Sequence, residues 1–156
     1  MGSGKTRSET LNSLHAELRT QATRTVIFHS AVAARLGITV TDLSCLNLLS
    51  AAGPQTPGQL AELIGITRGG AVTTMIDRLE RAGFVRRGRD PLDRRRVLVE
   101  PISTVADAVA PLFAGLAAAV GEHLAGYSDR DLEVLLRFVG TLNRRVAVAT
   151  DELRTP

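Results

Sequence analysis

Between Thr39 and Glu100 the chain is cut into short segments by alternating start and stop residues, and this punctuation constrains the fold more than any other feature. Thr39, with Asp42 three residues on, has the form of a capping box; it opens a helix that Leu43, Leu46 and Leu49 carry to Ala52. Gly53-Pro54 breaks that helix. Thr56-Pro57, with Gln59 at the third helical position, restarts the chain as a short helix through Ile64, and Gly65 ends it. Thr67 caps a further helix running to about Ala82, which Gly83 stops. Beyond Gly83 the pattern changes. Residues 84–87 and 96–100 read as short strands, and the turn formers of 88–95 join them into a hairpin. Residues 56–83 thus have the spacing of a helix-turn-helix, and a hairpin follows at once.

The flanks are longer and simpler. Leu11, Leu14, Leu18, Ala22, Val26, Ala33 and Leu36 repeat at three- and four-residue steps, one stripe of an amphipathic helix from about Thr10 to Leu36 closed by Gly37. His29 shares that stripe, either packed against a neighbour or facing a ligand. Residues 1–9 are polar and read as a tail. Gly4-Lys5-Thr6 echoes the end of a phosphate loop but lacks the upstream glycine and strand such a loop needs. After the hairpin, one helix is expected from Ser103 to Ala125, bent near Pro111, and another from a Ser128 cap with Asp131 at its third position to about Thr150. The expected fold is mainly α (an α+β winged helix), with about six helices, a two- to three-stranded β-wing and a single domain over 1–156. Hydrophobic residues make up 44% of the chain and aromatics only 3%, so Ala, Val and Leu must build the core by helix-on-helix packing.

Composition narrows the function classes. The one cysteine, Cys45, allows no internal disulfide, and no Cys/His cluster suggests a metal. No leader pattern is seen, and no apolar run is read as approaching a bilayer span. The expectation is a soluble, cytoplasmic protein with no cofactor and no membrane partner. The net charge is +3, but nine of the 19 Lys and Arg lie in 67–100, and all nine are Arg, the side chain suited to bidentate phosphate and guanine contacts. On the helix beginning at Thr67, Val72, Met75, Ile76 and Leu79 fall on one face and can pack against Leu60, Leu63 and Ile66. At about 100° per residue, Thr67, Gly70, Thr74, Asp77 and Arg81 fall opposite, with Arg78 at the edge. Small residues permit close approach to base edges, and Thr and Arg supply hydrogen bonds. Arg86, Arg87, Arg89, Arg94, Arg95 and Arg96 flank the hairpin turn, which can reach a neighbouring minor groove. Candidate DNA contacts are Thr67, Arg68, Gly70, Thr73, Thr74, Arg78, Arg81, Arg89, Arg94 and Arg95. Asp93 is assigned to hold the turn or orient a neighbouring Arg.

The stretch Gly65-Ile66-Thr67, the run Val72 to Arg87 and the segment Asp90-Pro91-Leu92-Asp93-Arg94-Arg95-Arg96-Val97 resemble the recognition helix, following strand and wing of the MarR family. The chain departs from the family pattern where Pro101, Ile102 and Ser103 lead to Ala106. The resemblance implies a triangular homodimer built from helices over 10–36 and 103–150, with a winged helix-turn-helix module over 38–101. It implies a regulator, often a ligand-responsive repressor, that binds a palindromic operator with helix 67–82 in the major groove and wing 88–95 in the minor groove. Arg95 would then enter the minor groove with Arg94 on phosphate, and Asp77 would pair with a wing arginine. A phenolic or anionic effector is a further implication, with His15, Arg19 and His29 as candidate lining residues. Three other readings stay open: a non-specific architectural DNA-binding protein, a protein-interaction module, and an enzyme. Within the regulator class, Cys45 could sense oxidants, although no Lys, Arg or His adjoins it in sequence to lower its pKa.

Overall fold

A computed structural model describes residues 5–66 and 69–154. The described residues form six helices and two strands: α1 (Arg7–Leu36), α2 (Val40–Ala52), α3 (Pro57–Ile64), α4 (Gly70–Arg81), β1 (Val85–Arg89), β2 (Val97–Pro101), α5 (Thr104–Leu124) and α6 (Asp129–Arg154). They fall into two compact units, 1–105 and 106–156.

Local chemistry sets most of the boundaries in the first unit. Thr39 and Asp42 form a reciprocal capping box at α2, and Thr56 and Gln59 form another at α3, with Pro57 in its first turn. Gly37 and Gly65 close α1 and α3 in the left-handed conformation that glycine adopts without a Cβ clash. Two helix starts differ from the sequence reading. α1 begins at Arg7 rather than near Thr10, because Thr6 and Glu9 make a third capping box. α4 begins at Gly70 rather than at Thr67. Its N-cap is Gly69, at φ 109° and ψ −129°, and no side chain caps it. That backbone conformation is open essentially to glycine alone, so the start is set by a conformation rather than by a capping side chain.

The core of this unit lies among α2, α3, α4 and the hairpin. Leu43, Leu46, Leu49, Leu60, Val72, Met75, Ile76, Leu79, Val85 and Val99 are all buried there. Leu63, expected in the same layer, is about half exposed, and Ile66 is only partly covered. β1 and β2 pair antiparallel, from Val85 opposite Pro101 to Arg89 opposite Val97, so Arg89 belongs to the strand rather than to the turn. The third strand shrinks to one bridge, in which Gln55 and Val99 exchange two backbone hydrogen bonds of 3.1 and 2.8 Å. The chain leaves β2 through Ile102, whose N–H donates to the Phe84 carbonyl, and Val105 is buried at the edge of the core.

The second unit holds most of α5 and all of α6. Ser128 and Asp131 hydrogen-bond at the start of α6, which runs four residues past the expected Thr150. Pro111 lies inside α5. The 20 residues Val105–Leu124 are long and apolar enough to cross a membrane by length and composition, which corrects the expectation that no run approached such a span. Yet α6 has no buried residue, and Leu116, Val120, Val134, Leu136, Phe138 and Val139 stand exposed.

Candidate nucleic-acid interface

The recognition surface begins with how α4 is seated. Val72, Met75, Ile76 and Leu79 are buried, so Gly70, Thr73, Thr74 and Arg81 face solvent. Neither Gly69 nor Gly70 has an atom within 4 Å of where a Cβ would stand, leaving open space at the start of the helix. Thr67 and Arg68 lie outside the described residues.

Two side chains of α4 are committed within the protein. Arg78 turns inward. Its Nε donates to Asp42 Oδ2 at 2.7 Å and its Nη2 to Oδ1 at 2.6 Å, a bidentate pair across 36 residues of sequence. Asp42 is fully buried and also accepts the Thr39 N–H at 2.8 Å. Burial alone would raise its carboxyl pKa, but the hydrogen bonds from Arg78 and Thr39 outweigh that and hold it below the ordinary carboxylate value. Asp77, between Thr73 and Gly70 around the helix, accepts from Arg87 of β1, and Arg87 also pairs with Glu80. The Arg87 N–H donates to Glu80 as well, at 3.1 Å. The strand leading into the wing is therefore tied to α4 by one guanidinium and two carboxylates.

The wing tip is held by its acids. Asp90 accepts the Leu92 N–H at 2.8 Å, and Asp93 accepts the Arg95 N–H at 3.1 Å; both are local side-chain-to-backbone turns. Arg89 Nη1 reaches the Arg94 carbonyl at 3.3 Å. The Arg95 side chain is 96% exposed, with only a 3.6 Å approach to Asp93. Arg94 is exposed and makes no ion pair among the described residues. The two arginines at the tip are thus available to phosphate or groove, whereas Arg86 is paired across the hairpin with Glu100 at 2.8 Å.

The suggested ligand residues do not converge within the chain. His15 and Arg19 are exposed on α1, about 21 and 15 Å along the helix from His29 at 1.5 Å per residue. His29 borders an open cavity of about 510 Å³, with Thr41, Ser44, Asn47 and Leu48 of α2 and Leu63 of α3. Sequence reading missed this group, although the polar residues of α2 opposite Leu43 and Leu46 carried a signal for it. Cys45 of α2 is buried; burial first, and then the Asp42 charge, push its thiol up to about 12. A thiol that keeps its proton is a poor target for oxidants.

A short helix and a second helix with an exposed Thr/Gly/Arg face, followed by a hairpin ending in exposed arginines, define a winged helix-turn-helix DNA-binding module. Comparison with known proteins narrows this class. A sequence profile described as the MarR family matches residues 38–97. An uncharacterized HTH-type transcriptional regulator of Bacillus subtilis, YcgE, is 39% identical over 140 residues, covering 90% of each chain. Among solved structures, a MarR family protein from Bacillus stearothermophilus matches with a TM-score of 0.68 at 21% identity, over 92% of this chain and 99% of that one. RV1404 from Mycobacterium tuberculosis matches with a TM-score of 0.65 at 22% identity, over 89% and 95%. The chain belongs to the MarR family of DNA-binding transcriptional regulators.

Proposed function

We propose that this chain is a sequence-specific regulator, acting in the cytoplasm as a homodimeric repressor on a palindromic operator. The observation that carries the reading is the pairing of an exposed Gly70/Thr73/Thr74/Arg81 face with a wing tip on which Arg94 and Arg95 stand exposed to solvent. α4 enters the major groove, where Thr74 and Arg81 meet base edges, while Arg95 reaches the minor groove and Arg94 and Arg89 meet phosphate. Asp93 and Asp77 keep the wing in register with the helix. α1, α5 and α6 supply the dimer contact; the exposed apolar side chains of α5 and α6 support this, because a second copy would cover them and lipid need not. In this reading the protein is a regulator and not an enzyme.

The response to a signal is assigned to a small amphipathic effector, phenolic or anionic, beside His29. A cavity with one imidazole, two hydroxyls and an amide among leucines suits a ligand with an apolar body and one polar end. The redox alternative loses support from the buried thiol of Cys45. The test is binding to the DNA upstream of the protein's own gene against a scrambled duplex, over a salt series. Specific binding, a steep salt slope and protected half-sites about one helical turn apart are expected. Equal affinity for both duplexes would overturn sequence-specific reading in favour of an architectural role.

A further inference from the structure

The two committed side chains on α4 are sequence neighbours, and they flank one strip of its solvent face. With about 100° per residue, Asp77 and Arg78 stand on opposite edges of the strip formed by Gly70, Thr74 and Arg81. One edge is tied to β1 through Arg87, the other to α2 through Asp42. The buried side of the same helix is held only by Val72, Met75, Ile76 and Leu79. Such apolar contact is strong but non-directional, so it tolerates small rotations about the helix axis. The Asp42 fork does not. Its carboxylate is itself fixed to α2 by the Thr39 N–H, and the planar guanidinium grips it side-on through Nε and Nη2, a directional pair.

We propose that Asp42 and Arg78 are a positioning pair for base recognition: the buried carboxylate of α2 fixes the rotation of α4 so that Thr74 and Arg81 meet base edges, and Arg78 serves specificity without touching DNA. The inference rests on α4 reading DNA. It removes Arg78 from the set of direct contacts and adds to the recognition machinery a residue, Asp42, that lies on another helix and is fully buried.

The experiment is selection from a random duplex library by the full-length protein, followed by affinity for the selected duplex and for a random one. Asp42→Asn and Arg78→Gln should each lower the ratio of the two affinities by about tenfold, through weaker binding to the selected duplex, with the salt slope unchanged. The double variant, which leaves no buried charge unpaired, should be no worse than either single one. Leu49→Ala, a core truncation outside the pair, should lower Tm while keeping the ratio, which separates positioning from general loss of stability. If Asp42→Asn fails to fold, Arg78→Lys carries the test, because it keeps the charge but loses the fork and should still lower the ratio. Wild-type discrimination in Asp42→Asn, or in Arg78→Lys where that variant stands in, overturns the pair. So does a loss confined to Arg78 variants and to a single base pair, which would mark a direct contact. Failure of the wild type to select any sequence would overturn both this inference and the DNA reading beneath it, and that outcome is visible before any variant is made.

Discussion

From Val40 to Pro101 the apolar residues close on one another: Leu43, Leu49, Leu60, Ile76, Leu79, Val85 and Val99 are almost wholly removed from solvent. From Asp129 to Arg154 no residue is buried, and Leu136 remains 74% exposed. The two regions have similar apolar chemistry but different means of covering it. The winged module surrounds its core with three short helices and a hairpin. α5 and α6 are two long helices joined by one turn, and a pair of helices leaves at least half of each surface uncovered. The module encloses its own core; the helix pair leaves its apolar side chains in solvent.

Four variants would break or sharpen that contrast. Leu79→Ala, in the module, should cost about 2–5 kcal/mol in urea unfolding and leave the oligomeric state of the folded fraction unchanged. An effect below 1 kcal/mol would mean the module does not depend on its own core. The double change Leu116→Glu and Val120→Glu, on exposed apolar positions of α5, should do the reverse. Sedimentation should show monomers, and operator binding should weaken about a hundredfold as two half-site contacts uncouple. A dimer that survives both charges would place the interface elsewhere. Arg95→Ala should weaken operator binding by about tenfold and lower the salt slope by about one, with the dimer intact. Equal affinity in mutant and wild type would remove the wing tip from the interface. The smallest effect is expected from Thr74→Ala, about 1 kcal/mol of lost base preference with little change on random DNA. A uniform loss on both duplexes would turn Thr74 into a backbone contact.

The parts of the fold that were legible before the structure share a physical origin. Thr39 with Asp42, and Thr56 with Gln59, satisfy backbone donors within one helical turn, so those helix starts are written in four-residue words. The buried face of α4 was equally legible, because 3.6-residue periodicity places Val72, Met75, Ile76 and Leu79 together whatever lies opposite. α4 was expected to start at Thr67 because a capping side chain is a visible signal, whereas the conformation of Gly69 is not. The capping box of Thr6 and Glu9 is just as local, but it sits among polar residues that have no apolar periodicity to mark a helix.

By itself the sequence determined the element order, the caps, the apolar faces and the concentration of arginine in 67–100, because each depends on residues a few positions apart. Only the tertiary structure decided what each arginine does. Arg78, Arg86 and Arg87 are held by Asp42, Glu100, Asp77 and Glu80, while Arg94 and Arg95 stay open to a partner. A guanidinium has the same charge in every one of these places. Whether a carboxylate waits within hydrogen-bond reach depends on contacts that span up to 36 residues of chain, and those exist only once the helices have packed.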